Sequence, residues 1–262
     1  MINGFIDIEN DEILEGPPPR NLVLYVGICD MPSMYVSMDF FRSGNIEHSL
    51  ARWCIDFYAD PNKSFLDLGA NVGLYSVILA PHFKKGYAFE PVKKTFMNLC
   101  VSLAANRIDN VETHNLAIGN VEGIVKTRIG VSSGFAGSST ILGELQEIGN
   151  QRNFFVYEED ILVTNLDAFD SVTDCAFIKM DVEGSEADVL RGGKSFIRKN
   201  NYPPILFESW TTEGCLPEEA DIRERLRKDL FETFREIGYN NIHSITNHRD
   251  MFIATKTNKE DV

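Results

Sequence analysis

The stretch Phe65-Leu66-Asp67-Leu68-Gly69-Ala70-Asn71-Val72-Gly73 is the part of this chain best suited to hold a ligand. Residues 64–68 read as a strand, and the glycines that follow require a tight turn that opens a helix. Such a turn lines a cleft at the carboxyl edge of a sheet with backbone N–H groups and small side chains, where open α/β sheets bind their ligands. Glu90, 23 residues beyond Asp67, closes the next apolar run. From there a carboxylate can accept hydrogen bonds from both hydroxyls of a ribose. Together the two features specify a nucleoside-bearing ligand.

A dinucleotide needs three glycines in that turn, so that its pyrophosphate can approach the backbone. Here Asn71 takes the middle position, and Asp67 would repel incoming phosphates. S-adenosylmethionine carries a sulfonium, an ammonium and a ribose but no phosphate, and it suits such a turn. A second polar cluster is Lys179-Met180-Asp181-Val182-Glu183-Gly184-Ser185-Glu186, at the carboxyl end of another apolar run. Lys179 and Asp181 alternate to one face of that strand, and Glu186 enters the helix that follows. Taken alone, these carboxylates also suit the start of a helix, where its dipole favours them.

The elements that must position these residues alternate between helix and strand from residue 47 onward. That is the signature of a mostly parallel α/β sheet with helices on both faces. Helices are expected over 46–58, 72–83, 92–107, 185–198 and 218–237. Strands are expected over 64–68, 86–90, 111–117, 175–180, 204–208, 241–245 and 251–255. Between 121 and 163 the pattern is less regular, with strand-like pieces around a Gly/Ser-rich loop at 131–140 that is either a plain connection or a lid. The first 43 residues read as a separate extension: an acidic lead, Pro17-Pro18-Pro19, then short strand candidates at 22–26 and 34–41. Residues 44–262 form the expected main domain.

With 25 Lys+Arg against 39 Asp+Glu, the 262-residue chain carries a formal charge of −14. That disfavours a nucleic-acid partner, which requires clustered cations to neutralise phosphates. The five cysteines are odd in number, widely spaced and without a C-x-x-C pair, so they read as reduced thiols of a cytoplasmic protein. The N-terminus carries Asp7, Glu9, Asp11 and Glu12 where a signal peptide would carry Lys or Arg. No run reaches the ~18 apolar residues that a membrane span requires, and no membrane partner is expected. Nothing in the sequence specifies an oligomeric state.

The chain resembles the FkbM family of S-adenosylmethionine-dependent methyltransferases. The resemblance is carried by Asp67-Leu68-Gly69-Ala70-Asn71-Val72-Gly73, Phe89-Glu90-Pro91, Ala117-Ile118-Gly119, Leu166-Asp167, Ile178 to Glu186, and Ile205-Leu206-Phe207-Glu208. It implies a seven-stranded, Rossmann-like class I fold, S-adenosylmethionine as cofactor, and methyl transfer to a hydroxyl of a sugar, glycan or other natural product. Carried over residue by residue, Asp67, Gly69, Asn71 and Gly73 would cradle the methionine end and Glu90 would bind the ribose. Pro91 and Ala117 would flank the adenine. Asp181 would sit closest to the reacting methyl as the base or the acceptor-orienting group, with Glu183 and Glu208 at neighbouring strand ends.

Three other readings compete. A divalent metal held by Asp181 and Glu208 could acidify the acceptor hydroxyl, although His48, His82, His114, His243 and His248 show no metal spacing. An RNA or protein methyltransferase is the second. Tyr202-Pro203-Pro204-Ile205 is superficially similar to the motif of base-flipping amino-methyltransferases, but its order differs and it precedes the fifth strand. The third is a catalytically silent module that binds the cofactor in the same cleft. The acceptor pocket is expected from the N-terminal extension and the Gly/Ser loop.

Overall fold

The computed structural model describes residues 3–8, 22–27, 46–130, 155–213, 215, 217–245 and 248–256. In chain order the elements are β1 (Asn3–Ile8), β2 (Leu22–Gly27), α1 (Ile46–Tyr58), β3 (Ser64–Leu68), α2 (Leu74–Leu79), β4 (Lys85–Phe89), α3 (Lys93–Ala105), β5 (Val111–His114), β6 (Ala117–Ile118), β7 (Gly123–Gly130) and β8 (Phe155–Thr164). They continue with β9 (Cys175–Met180), α4 (Glu186–Gly192), α5 (Lys194–Lys199), β10 (Ile205–Glu208), α6 (Pro217–Ile237), β11 (Asn241–Ile245) and β12 (His248–Thr255).

The main sheet has seven strands in the order β11-β12-β10-β9-β3-β4-β5. The pairs β5–β4, β4–β3, β3–β9 and β9–β10 are parallel, and β12 runs antiparallel to both of its neighbours. The chain builds outward from β3 through β4 to β5, then returns to the other side of β3 with β9. The crevice beyond the carboxyl ends of β3 and β9 is therefore a topological switch point, where open α/β sheets bind ligands.

Strand periodicity assigns side chains to the two faces. Phe65, Phe177, Leu206 and Ile253 point to one face and pack against Leu50, Cys54, Tyr75 and Leu79 of α1 and α2. Leu66, Leu68, Ile178, Met180 and Phe207 point to the other, against Val189, Phe196, Leu230 and Phe234 of α4, α5 and α6. Burying each such side chain contributes roughly 1.5–3 kcal/mol. Parallel register also sets Asp67 directly beside Lys179.

Several boundaries depart from the sequence expectation, each for a visible reason. The strand expected over 111–117 ends at His114, because the Asn115 amide donates to the carbonyls of Glu90 and Pro91 and draws the chain across the end of β4. Ala117–Ile118 then joins a second sheet of order β6-β8-β7. The helix expected over 185–198 breaks at Gly193, and Asp167 caps the new helix by accepting from the N–H groups of Ser195 and Phe196. The helix expected over 72–83 is α2 followed by a 3-10 turn, Ala80–His82, that contains Pro81.

β1 lies in the acidic lead, for which the sequence predicts no strand. It pairs antiparallel with β2, and β2 lies against α3. The prolines at 17–19, the candidate strand at 34–41 and the Gly/Ser loop at 131–140 fall outside the described residues. Among the described residues, Cys54, Cys100, Cys175 and Cys215 form no disulfide, and burial pushes the Cys175 thiol up to about 12. No helix among the described residues is long and apolar enough to cross a membrane.

Candidate active site

The turn after β3 is stitched to both neighbouring strands. The N–H groups of Gly69 and Ala70 donate to the Phe89 carbonyl, and the Asp181 N–H donates to the Leu68 carbonyl. Gly69 has φ 74, and a Cβ there would lie 1.8 Å from the Asp181 carbonyl oxygen, so only glycine lets β9 approach this closely. Asn71 follows with φ 52, a left-handed conformation that asparagine tolerates better than other residues with a side chain.

Glu90 emerges buried at the end of β4. Its Oε2 accepts from the Asn71 N–H and its Oε1 from the Val92 N–H, each at 2.9 Å. Burial nevertheless pushes its carboxyl up to about 7, against the lowering effect of those two donors. Each oxygen retains a second acceptor direction.

Gly69, Asn71, Glu90, Pro91, Ala117, Asp181 and Glu183 line one cleft, of about 770 Å³ with its open mouth included. Sequence reasoning missed Leu116, Val182 and Ser185, which also line it. Ser185 lay inside a motif already singled out, but no spacing rule shows which way such a side chain turns. The wall holds two enclosed polar atoms, Asn71 Oδ1 and Ser185 Oγ, without a hydrogen-bond partner among the described residues. Native structures rarely leave such atoms unpaired, and a bound ligand is one way to satisfy them.

Asp67 and Gly73, expected at the methionine end, lie behind the turn and outside the lining of this cleft. Asp67 is completely buried behind the turn, where Ser76 Oγ donates to its Oδ2 at 2.6 Å and Lys179 Nζ lies 3.5 Å from its Oδ1. Lys179 also donates to the Gly69 carbonyl at 2.6 Å and stands 3.6 Å from Asp181 Oδ2. Asp67 thus fixes the ammonium that fixes the turn. Gly73 caps α2 with φ 95 and faces the Leu99 side chain.

Asp181, Glu183 and Glu208 gather at the carboxyl ends of β9 and β10. Burial first, and then the neighbouring carboxylates with Asp181 foremost, hold the Glu183 and Glu208 carboxyls well above the usual range. Glu183 adopts φ 56, a strained conformation for its residue type that costs about 1–2 kcal/mol and concentrates at functional sites. Trp210 Nε1 donates to Glu208 Oε2 at 2.7 Å. Glu186 accepts from the N–H groups of Val182 and Gly184, and burial pushes its carboxyl up to about 7. Among the described residues no three His, Cys, Asp or Glu side chains are arranged to hold a metal ion.

The model of the methyltransferase FkbM domain matches residues 67–239, from the end of β3 to just past α6. The chain belongs to the FkbM methyltransferase family. A curated relative is Methyltransferase 1 of Beauveria bassiana (strain ARSEF 2860), 24% identical over 156 residues, which are 53% of this chain and 62% of that protein. The chain thus spans less than two thirds of that relative's length. The methyltransferase FkbM of Methylobacillus flagellatus KT is 19% identical with a TM-score of 0.46, covering 74% of this chain and 43% of that one. A Streptococcus mutans protein solved in complex with SAH is 11% identical, with a TM-score of 0.46 and coverage of 79% and 96%.

Proposed function

We propose that this chain is an S-adenosylmethionine-dependent O-methyltransferase whose acceptor is a hydroxyl of a sugar, glycan or other natural product. The observation that carries the reading is Glu90: a buried carboxyl at the mouth of the switch-point cleft, both oxygens anchored by backbone N–H groups and both still able to accept. That is the arrangement a vicinal diol of ribose needs. Asn71 Oδ1 and Ser185 Oγ, enclosed and unpaired, offer acceptor and donor capacity further along the same wall.

Bound there, S-adenosylmethionine would supply an electrophilic methyl group on a sulfonium. The chain's own contribution is alignment, worth as much as ~7–11 kcal/mol in well-oriented systems, and removal of the acceptor proton, worth about 10²–10⁴-fold. Asp181 is the carboxyl suited to take that proton. It lines the cleft, and Lys179 Nζ stands 3.6 Å from its Oδ2. Glu183 and Glu208 keep their protons to higher pH and are suited to donate hydrogen bonds to acceptor oxygens.

The decisive experiment incubates the protein with methyl-labelled S-adenosylmethionine and a pool of host glycans and small metabolites, followed by mass spectrometry. Label in a methyl ether of a glycan or metabolite is expected. Label in RNA or protein instead overturns the acceptor class, and cofactor binding with no transfer to any pool leaves the silent binding module. The charge of −14 supports a small or neutral acceptor over a polyanion.

A further inference from the structure

Glu90 belongs to a short segment that faces the cleft on one side and is held from behind on the other. Glu90, Pro91 and Thr95 line the cleft, whereas Val92 and Lys93 between them do not. The Val92 side chain is buried among Ile129, Ile161 and Val163 of the β6-β8-β7 sheet. Asn115 holds two carbonyls of the segment, those of Glu90 and Pro91, each at 2.9 Å. Two N–H groups are held as well: that of Val92 by Glu90 Oε1, and that of Lys93 by Glu159 Oε1 of β8, each at 2.9 Å.

Two features set Glu159 apart. Lys93 is the first residue of α3, and the first N–H groups of a helix have no partner within it. The side chain of the preceding residue ordinarily supplies one, but here that residue is Val92, which has no acceptor to offer. Glu159 supplies the cap from another sheet, and its charge suits the positive end of the helix dipole. It is also the middle one of three consecutive acidic residues, and strand alternation separates it from the other two. Glu158 and Asp160 turn outward to Lys126, while Glu159 shares the inner face with Ile161 and Val163. Since peptide units are planar, holding the Lys93 N–H leaves Val92 little freedom to turn its own N–H away from Glu90.

We propose that Glu159 is a positioning residue of the nucleoside site: by capping α3 it fixes the peptide that aims Glu90 at the two ribose hydroxyls. No residue of β7 or β8 lines the cleft, yet the small sheet thereby sets how strongly the cleft prefers a ribose. The proposal rests on the methyltransferase reading and adds a residue outside the cleft that tunes it.

The test compares S-adenosylhomocysteine with its 2′,3′-dideoxy analogue by calorimetry on the full chain. The ratio of the two affinities reads the ribose contact alone, because a general loss of packing weakens both ligands alike. The parent should favour the ribose-bearing ligand about ten- to hundredfold. Glu159→Ala should narrow that preference about three- to tenfold. Glu159→Gln, which keeps an acceptor oxygen for the Lys93 N–H, should restore it. Lys93→Pro removes the donor instead, at a first helical position where proline is tolerated. Val92, with φ −75 and ψ 115, already has the extended backbone that a following proline requires. Read against Lys93→Ala, which loses the same side chain but keeps the N–H, Lys93→Pro should narrow the preference as Glu159→Ala does. The combination of Lys93→Pro with Glu159→Ala should narrow it no further. The proposal is overturned by an unchanged preference in Glu159→Ala, by an equal loss for both ligands, or by additive effects in the combined variant. Two levels separate in the parent itself. Failure to bind S-adenosylhomocysteine brings down the methyltransferase reading as well, whereas a ribose preference that Glu159→Ala does not move sinks the positioning role alone.

Discussion

The ammonium of Lys179 stands directly beside Asp67 in the parallel register of β9 and β3, 3.5 Å from Asp67 Oδ1, with both side chains enclosed. A buried pair of this kind adds little by itself, but removing one partner leaves the other charge uncompensated. Lys179→Met should therefore destabilise the protein by about 3–5 kcal/mol, and Lys179→Met combined with Asp67→Asn should recover part of that loss. Urea denaturation of the two variants and the parent checks this. Equal losses in the single and double variants would show that Lys179 acts through its bond to the Gly69 carbonyl and not through the charge of Asp67.

The glycines of the first turn are not equivalent. At Gly69 a Cβ would meet the Asp181 backbone oxygen at 1.8 Å, and neither strand can retreat without breaking the sheet. At Gly73 the nearest atom is the end of the Leu99 side chain at 2.7 Å, which can turn away. Gly69→Ala should cost about 2–3 kcal/mol or more and abolish binding of S-adenosylhomocysteine. Gly73→Ala should show mainly the strain of φ 95, about 1–2 kcal/mol, and keep binding within a few-fold. Thermal melts and calorimetry of the pair separate a cofactor turn from a packing turn. Equal effects on binding would defeat that distinction.

Both the switch point and its carboxyls were legible in the sequence, because they depend on local signals. Strand-to-glycine turns at Gly69 and an acidic strand end at Glu90 announce themselves within a few residues, and β3, β9, β11 and α1 have the expected bounds. What was not legible depends on register and long-range bonds. Nothing local shows that Lys179 sits opposite Asp67 rather than facing the cleft. The end of β5 depends on Asn115 bonding the carbonyls of Glu90 and Pro91, a contact 24 to 25 residues distant. β1 was hidden by its setting in an acidic lead, although Phe5, Ile6 and Ile8 are good strand residues.

Glu90→Ala tests the ribose contact directly. It removes the acceptor for the Asn71 and Val92 N–H groups together with the proposed acceptor for the ligand's hydroxyls. Affinity for S-adenosylhomocysteine should fall about ten- to hundredfold, the worth of losing hydrogen bonds to a charged group. Affinity for homocysteine, which lacks the ribose, should not change. Calorimetry with both ligands is the check, and a parallel loss for homocysteine would mean that Glu90 serves the turn alone.

Glu186 gives a pH signature with a definite sign. Its carboxyl is held at about 7 in the folded protein against about 4.5 when exposed, so the folded state binds the extra proton between those values. Its contribution to stability is fully present below about pH 4.5 and is lost as pH rises through about 7. In Glu186→Gln the amide oxygen can still accept from the Val182 and Gly184 N–H groups without titrating. The stability of the variant relative to the parent should therefore climb with pH, by up to about 3 kcal/mol between pH 4.5 and 8. Denaturation of both proteins across that range reads the difference, and a flat difference would place the Glu186 carboxyl in water instead of inside the turn.

Asp181→Asn separates proton removal from cofactor binding. Asparagine preserves the size of the side chain and a contact with Lys179 Nζ, but it cannot take a proton from an acceptor hydroxyl. Turnover of an acceptor found by label transfer should fall about 10²–10⁴-fold, the range for loss of a positioned base. S-adenosylhomocysteine should bind within a few-fold of the parent. Unchanged turnover would remove Asp181 from the chemistry. A residual rate that rises again with pH would instead point to Glu183 or Glu208, whose carboxyls lose their protons only at higher pH, as the base that takes over.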